Sequence, residues 1–163
     1  MKKLMMIAAM MLMSMGAFAQ EAGKMAVGAT VSDYLDSDSR IAIGAKFQYS
    51  LNENFRLDAD FKLYPKKYYT TCWNPTINLN YLIPIFDKFY VYPLAGAGLF
   101  GYTWDYDGHT DSGSMFTVKF GAGAEYYITE QFKGLFEAYY QIAKKDDYKY
   151  SDPLISLGVA YCF

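Results

Sequence analysis

The densest chemistry in this 163-residue chain is an alternating run in which Arg56, Asp58, Asp60 and Lys62 stand between Phe55, Leu57, Ala59, Phe61 and Leu63. Two carboxylates two residues apart on one strand face could serve as a paired acid and base. The flanking cations Arg56 and Lys62 favour another chemistry, in which buried acids are neutralised by charged neighbours. Similar alternation supplies Lys46, Lys119, Glu125, Lys133 and Glu137 from other segments. Five cations facing four anions predict a nearly balanced interior network of charge-assisted hydrogen bonds. A narrow ion-conducting pore or proton-linked gate is the functional alternative.

A second cluster occupies 105–114, where Asp105, Asp107 and Asp111 surround Gly108 and the single histidine, His109. Acids around a glycine suggest a hard-cation loop, but the spacing and closing Glu of an EF-hand are missing. A solvated hairpin tip is expected, with no metal and no cofactor. Around it Trp104, Tyr106, Tyr68, Tyr69, Tyr148 and Tyr150 form a predicted aromatic rim. With Asp107, His109 and Asp111, the rim is a candidate surface for an external protein or glycan, or for lipopolysaccharide headgroups. Cys72 and Cys162 fall at opposite strand ends, beyond the ~7 Å that a disulfide allows, and are expected to be free thiols.

Period-two alternation and turn residues divide the chain into eight strands, at 25–35, 40–51, 55–64, 72–83, 89–104, 115–128, 132–143 and 153–163. Three connections share one pattern of an apolar residue, three mostly polar residues and a Phe: Leu51 to Phe55, Ile85 to Phe89 and Ile128 to Phe132. These short turns alternate with polar connections at 36–39, 65–71, 105–114 and 144–152, which read as longer loops. That asymmetry suits a membrane barrel with short periplasmic turns and long outer loops. A Lys or Arg on the lipid face costs roughly 2–4 kcal/mol near midplane, so the charged faces must line the lumen. The strand at 89–104 is apolar or glycine on both faces, and its register stays open. Aromatics near the strand ends predict two girdles, the outer one containing Tyr34, Tyr64, Trp73, Tyr102, Trp104 and Phe116.

Composition agrees with alternation: 53% hydrophobic and 19% aromatic residues coexist with a mean hydropathy of -0.04. The 15 basic residues are scattered among 17 acidic ones, which excludes a nucleic-acid footprint. Lys2 and Lys3, an apolar run from Leu4 to Met13 and Ala17-Phe18-Ala19 predict a cleavable signal peptide at 1–19, leaving one domain at 20–163.

The last strand alternates Ile155, Leu157, Val159, Tyr161 and Phe163 with small or polar residues. With the eight amphipathic strands, the turn asymmetry and the export signal, it resembles the small OmpA/OmpX-type outer-membrane β-barrels. The resemblance implies an all-β, eight-stranded antiparallel up-and-down transmembrane barrel in the outer membrane of a Gram-negative bacterium. It also implies that Tyr161 and Phe163 form the signal read by the assembly machinery. Expected partners are membrane lipid and lipopolysaccharide, with structural or adhesion-type roles, no nucleic acid and a monomeric state. Some barrels of this size act enzymatically on lipid A, so His109 with Ser112 or Ser114 is a weighed nucleophile and base pair, although a loop tip lacks rigid support. No enzyme is expected. The other alternative, a soluble lipocalin-like barrel, would require an apolar interior.

Overall fold

A strand with one apolar and one polar face has to bury one of them, and in lipid it must also leave no backbone edge unpaired. The computed structural model, which describes residues 22–35, 40–145 and 148–163, meets both conditions by closing a single antiparallel sheet on itself. Among the described residues nine segments appear: β1 (Met25–Tyr34), β2 (Ala42–Ser50), β3 (Phe55–Lys67), β4 (Thr70–Tyr81), β5 (Ile83–Phe86), β6 (Phe89–Tyr106), β7 (His109–Tyr127), β8 (Phe132–Lys145) and β9 (Tyr148–Cys162). β4 and β5 both pair with β6, so they are two parts of one strand position and the barrel has eight. Closure is made by β1 against β9, with Ala29 opposite Val159 and Tyr34 opposite Leu154. The predicted signal peptide at 1–19 and the connection at 36–39 lie outside the described residues.

The interruption between β4 and β5 has a local cause. Pro84 has no amide hydrogen to give to the ladder, and Asn54 takes over the backbone groups of Leu82. The Leu82 amide donates to the Asn54 carbonyl at 2.6 Å, and Asn54 Nδ2 donates to the Leu82 carbonyl at 3.2 Å.

Two of the three short turns share a mechanism. The Asn52 side-chain oxygen accepts from the amides of Asn54 and Phe55 at 2.9 and 2.8 Å. Thr129 Oγ1 does the same for Gln131 and Phe132 at 3.2 and 3.0 Å. A side chain that replaces a backbone acceptor fixes a tight turn without glycine. The third turn contains Lys88 in the left-handed region, at φ 67°.

At the other end the structure differs from expectation. The segments at 65–71 and 105–114 are strand, continued by pairing up to two-residue turns at Tyr68-Tyr69 and Asp107-Gly108. All four turn residues have positive φ, the geometry that matches strand twist in a tight hairpin. With 18 and 19 residues, β6 and β7 far exceed the roughly 9–11 that cross a bilayer.

Candidate functional site

Inside the barrel, alternation in β2, β3, β7 and β8 gathers nine charged side chains with residue exposures of 4% or less: Lys46, Arg56, Asp58, Asp60, Lys62, Lys119, Glu125, Lys133 and Glu137. They meet across the lumen. Arg56 donates through Nε to Asp58 at 2.8 Å and through Nη1 to Glu125 at 2.6 Å. Lys133 joins Glu125 from the neighbouring strand at 3.2 Å. Lys46 bridges Asp58 and Asp60, each at 3.4 Å, and pairs with Glu137. Lys119 donates to Asp60 at 2.7 Å. Lys62 donates instead to Ser32 Oγ at 2.8 Å and to the Tyr139 hydroxyl. Gln48, Asn78 and Tyr92 supply further donors to Asp58, Asp60 and Glu137 at 2.9–3.0 Å. Asp58 and Asp60 are thus spread among cations and amides, the arrangement of a structural network.

Aromatic rings wedge between these charges. Tyr92 lies under the Arg56 guanidinium at 4.9 Å, and Tyr139 receives Lys62 and Lys119 at 4.7 and 4.8 Å. Tyr92 can lie flat because Gly123 stands directly opposite it: a Cβ there would come within 2.4 Å of the ring. The open register of the fifth predicted strand is settled here, with Tyr90, Tyr92, Leu94 and Phe100 inward and Pro93, Ala95, Ala97 and Leu99 outward.

Above the charges the lumen is apolar. Tyr34 and Tyr64 stack at 5.5 Å, Tyr64 meets Phe100 at 5.8 Å, and Cys72, Ala143 and Leu154 complete the cluster. This corrects the outer girdle. Tyr34 and Tyr64 are buried inside, Tyr102 packs against the same cluster, and Trp104 shares their strand face, whereas Phe116 is exposed outward. Ring-rich strand ends look the same in sequence whichever face they occupy. Asp152, buried at 6% on the lumen side of β9, was also missed, since it stands in a segment read as loop. Arg40 enters the upper lumen to donate to Cys72 Sγ at 3.2 Å and to the Thr70 carbonyl. Both cysteines are free thiols.

On the projecting hairpin, pairing of Trp104 with Asp111 and of Tyr106 with His109 puts those four residues on one face. Trp104 and Tyr106 stack at 5.7 Å, and Tyr106 meets Tyr69 edge-on at 5.0 Å. Lys66 joins the group, 3.6 Å from Asp105 and over the Tyr69 ring. Asp107 sits in the turn itself. Pleating puts Asp105 opposite in face to Asp111, and Ser112 and Ser114 opposite in face to His109. Asp105 and Asp111 therefore do not share a face, nor does His109 share one with Ser112 or Ser114. Tyr150 is exposed beside Tyr34 at 6.4 Å; the Tyr148 side chain lies outside the described residues.

At the opposite end Tyr161 and Phe163 are exposed outward, stacked at 6.4 Å, and Phe132 packs on Tyr161 at 5.1 Å. Cys162 is half-buried and turned inward against Ala26, Leu135 and Ala160. Paired backbone bonds between Met25 and Phe163 seal the seam to the last residue.

Comparison with known proteins agrees with this geometry. The sequence profile of the outer membrane protein beta-barrel domain matches residues 5–163. No curated protein matches the sequence. Among solved structures, Neisserial surface protein A superposes with a TM-score of 0.71 at 15% identity, covering 86% of this chain and 96% of its own. The N-terminal β-barrel domain of Pseudomonas aeruginosa OprF gives 0.62 at 19% identity, with 88% and 100% covered. The attachment invasion locus protein of Yersinia pestis gives 0.57 at 19%, with 87% and 99% covered. Likeness at these identities carries the fold. A lipocalin-like interior is excluded by the charges found inside.

Proposed function

The chain belongs to the outer membrane protein beta-barrel domain family, and from that premise we propose that it is a non-catalytic, monomeric envelope barrel with a plugged lumen and an adhesion-type surface. Its place is the outer membrane. There the apolar exterior, including Val27, Phe47, Phe61, Ile77, Phe120 and Leu157, meets lipid. The plug rests on size and satisfaction: eight strands leave an interior that side chains can fill, and here ion pairs fill its lower part and stacked rings its upper part.

The observation that carries the surface role is the exposed ring group of Tyr69, Trp104 and Tyr106, at 54%, 40% and 50% exposure. Large rings already fixed against one another lose little entropy on contact and suit a protein or glycan surface. The Tyr68-Tyr69 turn strengthens the reading. Non-glycine residues in the left-handed region cost of order 1–3 kcal/mol, and such strain concentrates at functional sites. In the same reading Tyr161 and Phe163 are recognised by the assembly machinery, and lipopolysaccharide surrounds the outer rim.

Cells displaying the protein test this. A Trp104→Ala/Tyr106→Ala variant is expected to lose at least about tenfold in binding to host-cell surfaces or immobilised glycans, as one or two ring anchors would contribute. Its heat-modifiable gel mobility should remain that of the parent barrel. Undiminished adhesion by a folded variant would overturn the surface role.

A further inference from the structure

The periplasmic mouth of the barrel encloses a cavity of 320 Å³ below the lumen network, three of whose members line its inner end. Exposed Lys24 and Lys88 stand on its rim, Arg56, Lys133 and Gln48 lie at its inner end, and Cys162 is on its wall. Among the described lining residues Glu130 is the only acid against Lys24, Arg56, Lys88 and Lys133, of which Arg56 and Lys133 also pair with Glu125 just inside.

At the inner end two polar atoms are left over. Arg56 gives Nε to Asp58 and Nη1 to Glu125, but its Nη2 is buried without a hydrogen-bond partner. Gln48 gives Nε2 to Asp58, and its Oε1 is likewise buried and unpartnered. Both residues are 1% exposed. Native structures satisfy nearly all such atoms. One spare donor wants an anionic oxygen, and one spare acceptor wants an N–H or O–H. An anion with no proton to give, such as sulfate, answers only the first need, and a neutral sugar leaves the cations unanswered. A phosphate suits several converging cations better than a single carboxylate does, because it brings more charge and more acceptor oxygens.

We propose that the periplasmic mouth binds a phosphate ester bearing an ammonium donor, of phosphoethanolamine chemistry. Arg56 and Lys88 hold the phosphate, and Gln48 Oε1 accepts from the ammonium. The group can arrive as a soluble ester or as a lipid headgroup folded over the rim.

Cys162 reports occupancy directly, because it lines the cavity at intermediate exposure while Cys72 is buried at 2% exposure elsewhere in the barrel. The folded barrel in nonionic detergent is titrated with O-phosphoethanolamine, and Cys162 labelling by a small maleimide is timed. Saturable slowing is expected, with half-saturation at or below about 10 mM, an affinity that a few charge-assisted contacts supply. Lys88→Ala and Gln48→Leu, each with parent gel mobility, should raise that concentration roughly tenfold, equivalent to about 1.4 kcal/mol. Slower labelling in phosphatidylethanolamine nanodiscs than in phosphatidylcholine nanodiscs, with no added ester, assigns the headgroup as the source. Protection by the free ester alone assigns the soluble source. Three results would overturn the site: no protection, meaning water alone meets the two atoms; equal protection by sodium chloride of matched ionic strength; or equal half-saturation by inorganic sulfate, which has no donor.

Discussion

Replacing Glu125 by Ala should destabilise the barrel more than any change on its surface. Glu125 is 1% exposed and holds both Arg56, at 2.6 Å, and Lys133, at 3.2 Å. Removing it takes the ion-pair partner from Lys133 and leaves Arg56 with Asp58 alone. Breaking a buried pair in this way costs about 3–5 kcal/mol, chiefly through the uncompensated charge that remains. With a denaturant slope of roughly 1–3 kcal/mol per molar urea, the midpoint should fall by at least about 1 M. Reversible unfolding in lipid vesicles, followed by the fluorescence of Trp73 and Trp104, measures it. Lys66→Ala provides the contrast: its pair with Asp105 is 3.6 Å long and both side chains are more than half exposed, so its loss should cost about 0–1 kcal/mol. A triple variant, Glu125→Leu/Arg56→Met/Lys133→Leu, should recover most of the deficit, because apolar replacement of a whole buried network is often neutral or better. A loss under about 1 kcal/mol for Glu125→Ala would show that water reaches and screens these charges, and the argument from a dry network would fail.

Other consequences are equally direct. Gly123→Ala places a methyl 2.4 Å from the Tyr92 ring, which is itself fixed by Arg56 and Glu137; it should cost about 1–3 kcal/mol by the same unfolding assay, with Tyr92→Ala in the same chain relieving part of it. Replacing Tyr68-Tyr69 by Asn-Gly should raise stability by about 1 kcal/mol or more, since those residues accept positive φ readily, while weakening adhesion. Deleting Phe163 should slow assembly in cells by a larger factor than it lowers the stability of inserted barrels, as pulse-labelled folding against urea midpoints would show; equal effects on both would remove the recognition role.

Period two made most of the architecture legible. In β3 the contrast between Arg56, Asp58, Asp60, Lys62 and the apolar set beginning at Phe55 needed no structure to place the two faces, and the side chains that meet in the lumen are those alternate ones. The repeated turns were visible as three mostly polar residues between an apolar residue and Phe, and in two of them Asn52 and Thr129 carry the oxygen that caps the turn. Two things were hidden. Where both faces are apolar, as along Phe89 to Phe100, alternation gives no contrast, and only pairing across Tyr92 and Gly123 reveals which side is inner. Projection of the hairpin was legible in the length of its strands, but its outer part, 105–114, was read as loop because Asp105, Thr110, Ser112 and Ser114 are polar on both faces, as strands standing in water are free to be. Asp107-Gly108 was the available signal for a tight hairpin turn. Tyr68-Tyr69 offered none, since its positive φ values run against residue type.

A barrel whose interior is filled should pass no ions, and planar-bilayer recording of the purified protein tests that most directly. Charges paired across the lumen below and rings stacked above predict a membrane that stays electrically silent, with openings emerging only when the network is stripped, for example in Lys46→Ala/Glu137→Ala/Tyr92→Ala. Stable, reproducible unitary openings of the unmodified protein would contradict it.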